Sequence, residues 1–127
     1  MEQVLKHLSS HKVRPGDSVM FDIDDTLINS KTDKPIPHIV KLLNVCKQLG
    51  HNIVIITART GDEWVQTHTE KQLADIGVTY DFLGYCDAEV KTLLKQHLRD
   101  TRGWHFVLSV GDMPTDLTDS DIYLLVK

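Results

Sequence analysis

The sequence predicts an α/β domain: an open, doubly wound sheet of about five mainly parallel strands flanked by helices. Three observations point there. The stretches SVMFDID (18–24) and IVIIT (53–57) are near-continuous apolar runs, as strands covered on both faces require. Segments of helical periodicity alternate with such runs along the chain. Finally, 127 residues suffice for one ordinary core and are too few for two, so residues 1–127 read as a single domain.

Taken in order, Val4, Leu5 and Leu8 repeat at helical spacing, so residues 2–10 read as a short amphipathic helix ahead of the Pro15-Gly16 turn signal. Residues 1–15 thus form an N-terminal helical extension. After the first strand, Ile36, Ile39, Val40, Leu43, Cys46 and Leu49 make one stripe with prolines at its entrance and Gly50 at its exit, which suits a crossover helix. Past the second strand, GDEWVQTHTEKQLADIG offers Asp62 as an N-cap and turns Val65, Leu73 and Ile76 inward, and YDFLGYC follows as a third strand. In DAEVKTLLKQHLR (87–99), Asp87 is placed to cap a helix whose apolar face is Val90, Leu93, Leu94 and Leu98. FVLSVG (106–111) and DIYLLV (121–126) complete the strands.

Composition narrows the function. With 41% hydrophobic and 25% charged residues the chain is of the soluble globular class. A net charge of −4 argues against nonspecific coating of nucleic acid, which needs a basic face, and leaves recognition of a strand end open. Cys46 and Cys86 show no CxxC or Cys/His spacing and read as reduced core residues. The N-terminus is too polar for a signal segment and no apolar run reaches membrane-spanning length, so the expectation is a cytoplasmic protein with no membrane partner.

The chemistry concentrates at strand ends. VMFDIDDT drives Asp22, Asp24 and Asp25 onto the end of a buried strand, and buried carboxylates need a cation or a set of donors to face them. Thr57 closes the second strand, Lys91 sits in the first turns of a helix, and Asp112 and Asp116 follow the fourth strand in GDMPTD. In doubly wound sheets such ends meet at one rim. Asp22, Asp24 and Asp112 make an oxygen-rich set, with no suitably spaced Cys or His, and hard oxygen ligands point to Mg²⁺ rather than zinc.

These four segments resemble, in order, the motifs of the haloacid dehalogenase superfamily: DIDDT its DxDxT, IVIIT its strand ending in Thr or Ser, Lys91 its lysine, and GDMPTD its GDxxxD. The resemblance implies a Rossmann-like domain and phosphomonoester hydrolysis with Mg²⁺ as cofactor. It assigns Asp22 as nucleophile forming an aspartyl-phosphate, and Asp24 as general acid and then base, its main-chain carbonyl also a metal ligand. Thr57 would donate to the phosphoryl oxygens and Lys91 would offset charge between Asp22 and substrate. Asp112 would ligate the metal, with Asp116 behind it or acting through water, and Thr26 would order the turn after the first strand. Lys95, one turn beyond Lys91, is a rival for the lysine role; Lys91 is favoured because it lies nearer the helix N-terminus.

The stretch from TART to FLGY resembles both the acid-phosphatase-like and the polynucleotide-phosphatase-like branches, in which an Arg at the place of Arg59 resembles a substrate contact; a solvated loop cation is the other reading. The gaps between motifs hold no lid, so no cap domain is expected. An open site suits a phosphorylated small molecule or a nucleic-acid 3′-phosphate end, and a homo-oligomer would be one way to cover it. A receiver-like domain is a competing class, disfavoured because no middle strand ends in Asp, and a purely binding module is another, disfavoured because Asp22, Asp24, Lys91 and Asp112 are all present. Asp25 reads as a turn residue. His7 and His11, at i, i+4, have spacing that can bind metal but read as a solvated face, and Trp64 and Trp104 read as packing anchors.

Overall fold

The computed structural model describes all 127 residues. Its strands are β1 (Asp17–Phe21), β2 (Asn52–Thr57), β3 (Phe82–Tyr85), β4 (His105–Gly111) and β5 (Ile122–Leu125). The helices are α1 (Glu2–Ser10), α2 (Pro37–Leu49), α3 (Glu63–Asp75) and α4 (Lys91–Arg102). All four strand pairings are parallel, in the order β3-β2-β1-β4-β5. The fold is the α/β, Rossmann-like sheet expected. Its chain order reverses beside β1, between β1 and β4, where ligands of open α/β sheets bind.

Alternation along the strands divides the core. Val19, Phe21, Ile53, Ile55, Leu108 and Val110 face α1, α2 and α3 through Val4, Leu8, Leu43, Cys46 and Leu73. Met20, Val54, Ile56 and Phe106 face Leu98 of α4. Both faces are covered over the central strands β1, β2 and β4, which is why these read as apolar runs, whereas Tyr123 and Leu125 of the edge strand β5 stay exposed. Gly50 ends α2 at φ 105°, in the left-handed region, its N–H returning to Cys46 and Lys47 carbonyls.

Several details depart from the sequence reading. The first strand stops at Phe21, and the chain leaves the sheet through Asp22, whose N–H still bonds the Val110 carbonyl at 3.0 Å. Asp87 makes no side-chain cap; a 3₁₀ turn, Ala88–Val90, precedes α4 instead. Leu93 does not face inward but is 61% exposed, and the buried stripe of α4 is Lys91, Lys95 and Leu98, at i, i+4 and i+7. The apolar pattern misplaced this face because two of its inward positions are lysines with buried oxygen partners. Trp64 is 74% exposed and anchors no packing, whereas Trp104 is half-buried under Arg102. Cys46 is a core residue as expected, but Cys86 is only half-buried.

Between β1 and α2 the chain forms a compact loop, closed by bridges from Ile28 to Asp24 and Pro35, with Leu27 and Ile28 buried beneath it. No inserted domain covers the rim. No helix is long and apolar enough to cross a membrane.

Candidate active site

Asp22, Asp24, Asp25, Ala58, Arg59, Ala88, Lys91, Asp112, Met113, Thr115 and Asp116 surround a cleft of about 290 Å³ at the C-terminal edge of the sheet. Each segment arrives there because a parallel strand ends there: β1 delivers Asp22, β2 Ala58 and Arg59 with Thr57 buried just behind them, and β4 the turn that carries Asp112 and Asp116. Lys91 opens α4, which follows β3.

At the floor lies a buried triad. Lys91 Nζ donates to Asp22 Oδ1 at 2.9 Å and to Asp116 Oδ1 at 2.6 Å. Asp116 Oδ2 also accepts the Met113 N–H at 3.2 Å, which fastens the turn after β4. This close packing explains the glycine of GDMPTD: a Cβ on Gly111 would collide with the Asp116 side chain. Lys95 lies deeper and touches no site carboxylate. Its Nζ donates to Ser109 Oγ (2.9 Å) and to the carbonyls of Asp116 (2.7 Å) and Thr118 (2.6 Å), so it braces the loop. Burial pushes its pKa down to about 8.

Carboxylate oxygens of Asp22, Asp112 and Asp116 lie within 4.8 Å of one another. Burial drives the Asp22 pKa up to about 7; the Asp116 charge and the Asp112 carboxyl add to the rise, while Lys91 opposes it. Burial also works against the Lys91 ammonium, but Asp22 and Asp116 together outweigh it and raise its pKa. Lys91 thus pairs with two of the three clustered carboxylates and leaves Asp112 without its cation, and the excess of negative oxygen fits a hard divalent cation. Thr115 Oγ1 lines the same cleft, buried and without a partner.

Asp24 stands apart from that trio. Its carboxylate is clamped by Arg59, Nε to Oδ2 at 3.0 Å and Nη2 to Oδ1 at 2.8 Å. Arg59 Nη1 is held in turn by Thr69 Oγ1 (3.0 Å) and Gln72 Oε1 (2.7 Å). Arg59 is therefore no free loop cation. Thr57 is buried, and its Oγ1 accepts the Arg59 N–H at 3.1 Å, so Ala58 and Arg59 form the cleft wall at this point.

Asp25 adopts φ 59°, and its carboxylate accepts the Ser30 N–H and hydroxyl, a turn role that lowers its pKa. The Thr26 hydroxyl is buried without a partner, and the turn is instead ordered by its N–H to the Ile23 carbonyl, 3.1 Å. Thr115 and Ala88 escaped the sequence reading, since an unpaired hydroxyl and a small residue leave no pattern along the chain.

The fold and this acidic rim define a class: an α/β domain with a carboxylate site at the switch point of a parallel sheet. A family model for haloacid dehalogenase-like hydrolases matches residues 19–82, and the chain belongs to that family. The matched stretch holds DIDDT and IVIIT; Lys91 and GDMPTD lie beyond it. Among solved structures, the class C acid phosphatase from Bacillus anthracis is similar over 92% of this chain and 60% of its own, at 19% identity and TM-score 0.70. A chain of the Pnkp1/Rnl/Hen1 complex is similar over 79% of this chain and 40% of its own, at 20% identity and TM-score 0.63. The present chain thus spans less than two thirds of either. No curated protein matches it.

Proposed function

We propose that the protein is a phosphatase that hydrolyses phosphomonoesters through an aspartyl-phosphate on Asp22. The observation that carries this is the buried Asp22 carboxylate at the switch point, 2.9 Å from Lys91 and open to the cleft. Mg²⁺ suits the all-oxygen set; Asp22, Asp112 and the Asp24 carbonyl would hold it, with Asp116 behind. When bound it supplies positive charge against the phosphoryl oxygens and keeps Asp22 ionised.

In the first half-reaction an Asp22 oxygen bonds to phosphorus as the ester P–O bond breaks, and Asp24 gives its proton to the departing alcohol. In the second, Asp24 takes a proton from water, whose oxygen bonds to phosphorus as the Asp22 P–O bond breaks. Lys91 and the Thr57 hydroxyl balance charge on the transferring group. Arg59 orients Asp24, and the clamp must loosen for Asp24 to hold a proton. With no lid, a phosphorylated small molecule enters directly. The half-buried Cys86 thiol suits a reducing, cytoplasmic setting.

A second substrate, a nucleic-acid 3′-phosphate end, is favoured by one feature. Trp64, in the first turn of α3, is exposed and stacks on His68 with ring centroids 5.5 Å apart. Such a platform accepts a base.

The test is phosphate release from nitrophenyl phosphate, nucleoside monophosphates and 3′-phosphorylated oligonucleotides, before and after EDTA. Release that needs Mg²⁺ and Asp22 is the expected result. Release unchanged in Asp22→Asn would overturn the mechanism, and a preference for the oligonucleotide would decide for the second substrate.

A further inference from the structure

A larger cavity, about 500 Å³, opens at the other edge of the sheet. Its wall includes Asp17, which begins β1, His51, which precedes β2, and His105, which begins β4, whereas the cleft forms where the same strands end. β4 alone separates the two edges by about 20 Å, at ~3.3 Å per residue. The remaining wall comes largely from α1 and the segment after it, with His7, His11, Lys12 and Arg14. The N-terminal extension therefore lines this basal cavity and contributes nothing to the cleft.

Two of the four imidazoles there have their ring hydrogen fixed away from a free nitrogen. His51 is 7% exposed, and its Nδ1 lies 3.0 Å from the Cys46 carbonyl, which can only accept, so Nδ1 carries the hydrogen and Nε2 keeps a lone pair with no partner. His11 is different: its Nδ1 lies 2.8 Å from the His7 carbonyl and 3.0 Å from Ser10 Oγ, contacts that it gives up when it turns into the cavity. His105 Nε2 lies 2.7 Å from Asp121 Oδ2, leaving its Nδ1 free. Donation of one ring N–H to a carbonyl or carboxylate is the arrangement that orients and strengthens a metal-ligating histidine. His7 lies one turn from His11, ring centroids 4.5 Å apart.

Charge at this edge also favours a cation. The crossover helices run against the strands, so α2 and α4 end here, immediately before His51 and His105, and their last carbonyls carry partial negative charge. Lys12 and Arg14 oppose a cation, but both side chains are exposed and can turn to solvent. Asp17 and Asp121 offset them. The cavity is much wider than an ion, so ligation requires His7 and His11 to turn toward the fixed His51. Their half-buried and exposed positions permit this.

We propose that the basal cavity binds one divalent transition-metal ion of the Zn²⁺ class through His7, His11 and His51, with His105 as fourth ligand, clasping α1 to the sheet. Four imidazoles suit a borderline ion, as the carboxylates of the rim suit a hard one. The proposal is independent of the reaction at the rim.

The test is calorimetric titration of Zn²⁺ into the intact chain with millimolar Mg²⁺ present, for wild type, His7→Gln, His51→Gln and Asp112→Asn. The expected result is one Zn²⁺ equivalent with Kd below about 10 μM, weakened at least about tenfold in both histidine variants and kept in Asp112→Asn. His7 is half-buried on a terminal helix, so His7→Gln tests ligation even if His51→Gln fails to fold. Co²⁺ in place of Zn²⁺ should give the visible absorption of a four-coordinate nitrogen site, and Zn²⁺ should slow hydrogen exchange at Leu8. Absence of uptake, or uptake lost in Asp112→Asn and kept in the histidine variants, would overturn the proposal.

Discussion

At the C-terminal edge of the sheet, five carboxylates crowd a narrow cleft with Lys91 and Arg59. At the N-terminal edge, four imidazoles with Lys12 and Arg14 line a wider cavity holding two carboxylates. The helices explain why one sheet carries both. Each crossover helix begins at the rim and ends at the base, so the rim has the partial positive charge that suits a phosphoryl group and the base the partial negative charge that suits cations. The edges also differ in burial. At the rim Lys91 and Asp116 are almost inaccessible, whereas His51 is the one buried titratable group of the basal wall, so charge changes at the rim should cost far more.

The largest effect should come from the rim nucleophile. Asp22→Asn should lower phosphate release by about 10⁴-fold or more, while His7→Gln leaves it unchanged; equal losses in both would erase the distinction between the edges. Next in size is Lys91→Met, which leaves Asp22 and Asp116 buried without their cation. Denaturant unfolding without metal should show a loss of roughly 3–5 kcal/mol, where Lys12→Met at the base changes little.

A third test uses pH. The Asp22 carboxyl is raised from 3.8 to about 7 in the folded, metal-free chain. Its contribution to stability is therefore fully present below pH 3.8 and lost as pH rises through 7. In EDTA, Asp22→Asn should melt higher than wild type at pH 8, with the gap closing toward pH 5; a gap independent of pH would remove Asp22 as its source.

Arg59→Lys keeps the charge and loses the two-pronged hold on Asp24. It should reduce turnover by roughly 10–100-fold, visible as a fall in kcat with KM little changed. The smallest effect belongs to Trp64→Ala: thermal stability should stay within about 0.5 kcal/mol. If the nucleic-acid substrate is right, KM for the oligonucleotide rises while that for nitrophenyl phosphate does not.

Much of the fold was legible because its signals are local. Apolar runs of strand length, helical stripes and glycine or proline boundaries lie within a few residues of each other, and they gave the α/β class and about five mainly parallel strands. The rim was legible for a related reason: in a parallel sheet the residue after each strand must come to one edge, so Asp22, Thr57 and Asp112 could be placed there before any contact was known. Family resemblance added roles that local pattern does not contain.

Partners far apart in the chain were decided by tertiary structure alone. Lys91 reaches Asp22 across 69 positions and Asp116 across 25, and only the packing of α4 against β4 separates it from Lys95, which braces a loop. Asp24 turns to Arg59 and leaves Asp116 to join Asp22 and Asp112, a choice of side-chain direction that spacing does not encode. Leu93 faces water and Trp64 stands exposed because burial depends on what the neighbouring elements cover. His7 and His11 share a cavity with His51 and His105 only because the return of the strands brings those two to the same edge. Sequence fixes what each short segment can form; the cavities arise where segments distant in the chain meet, and their chemistry depends on that meeting.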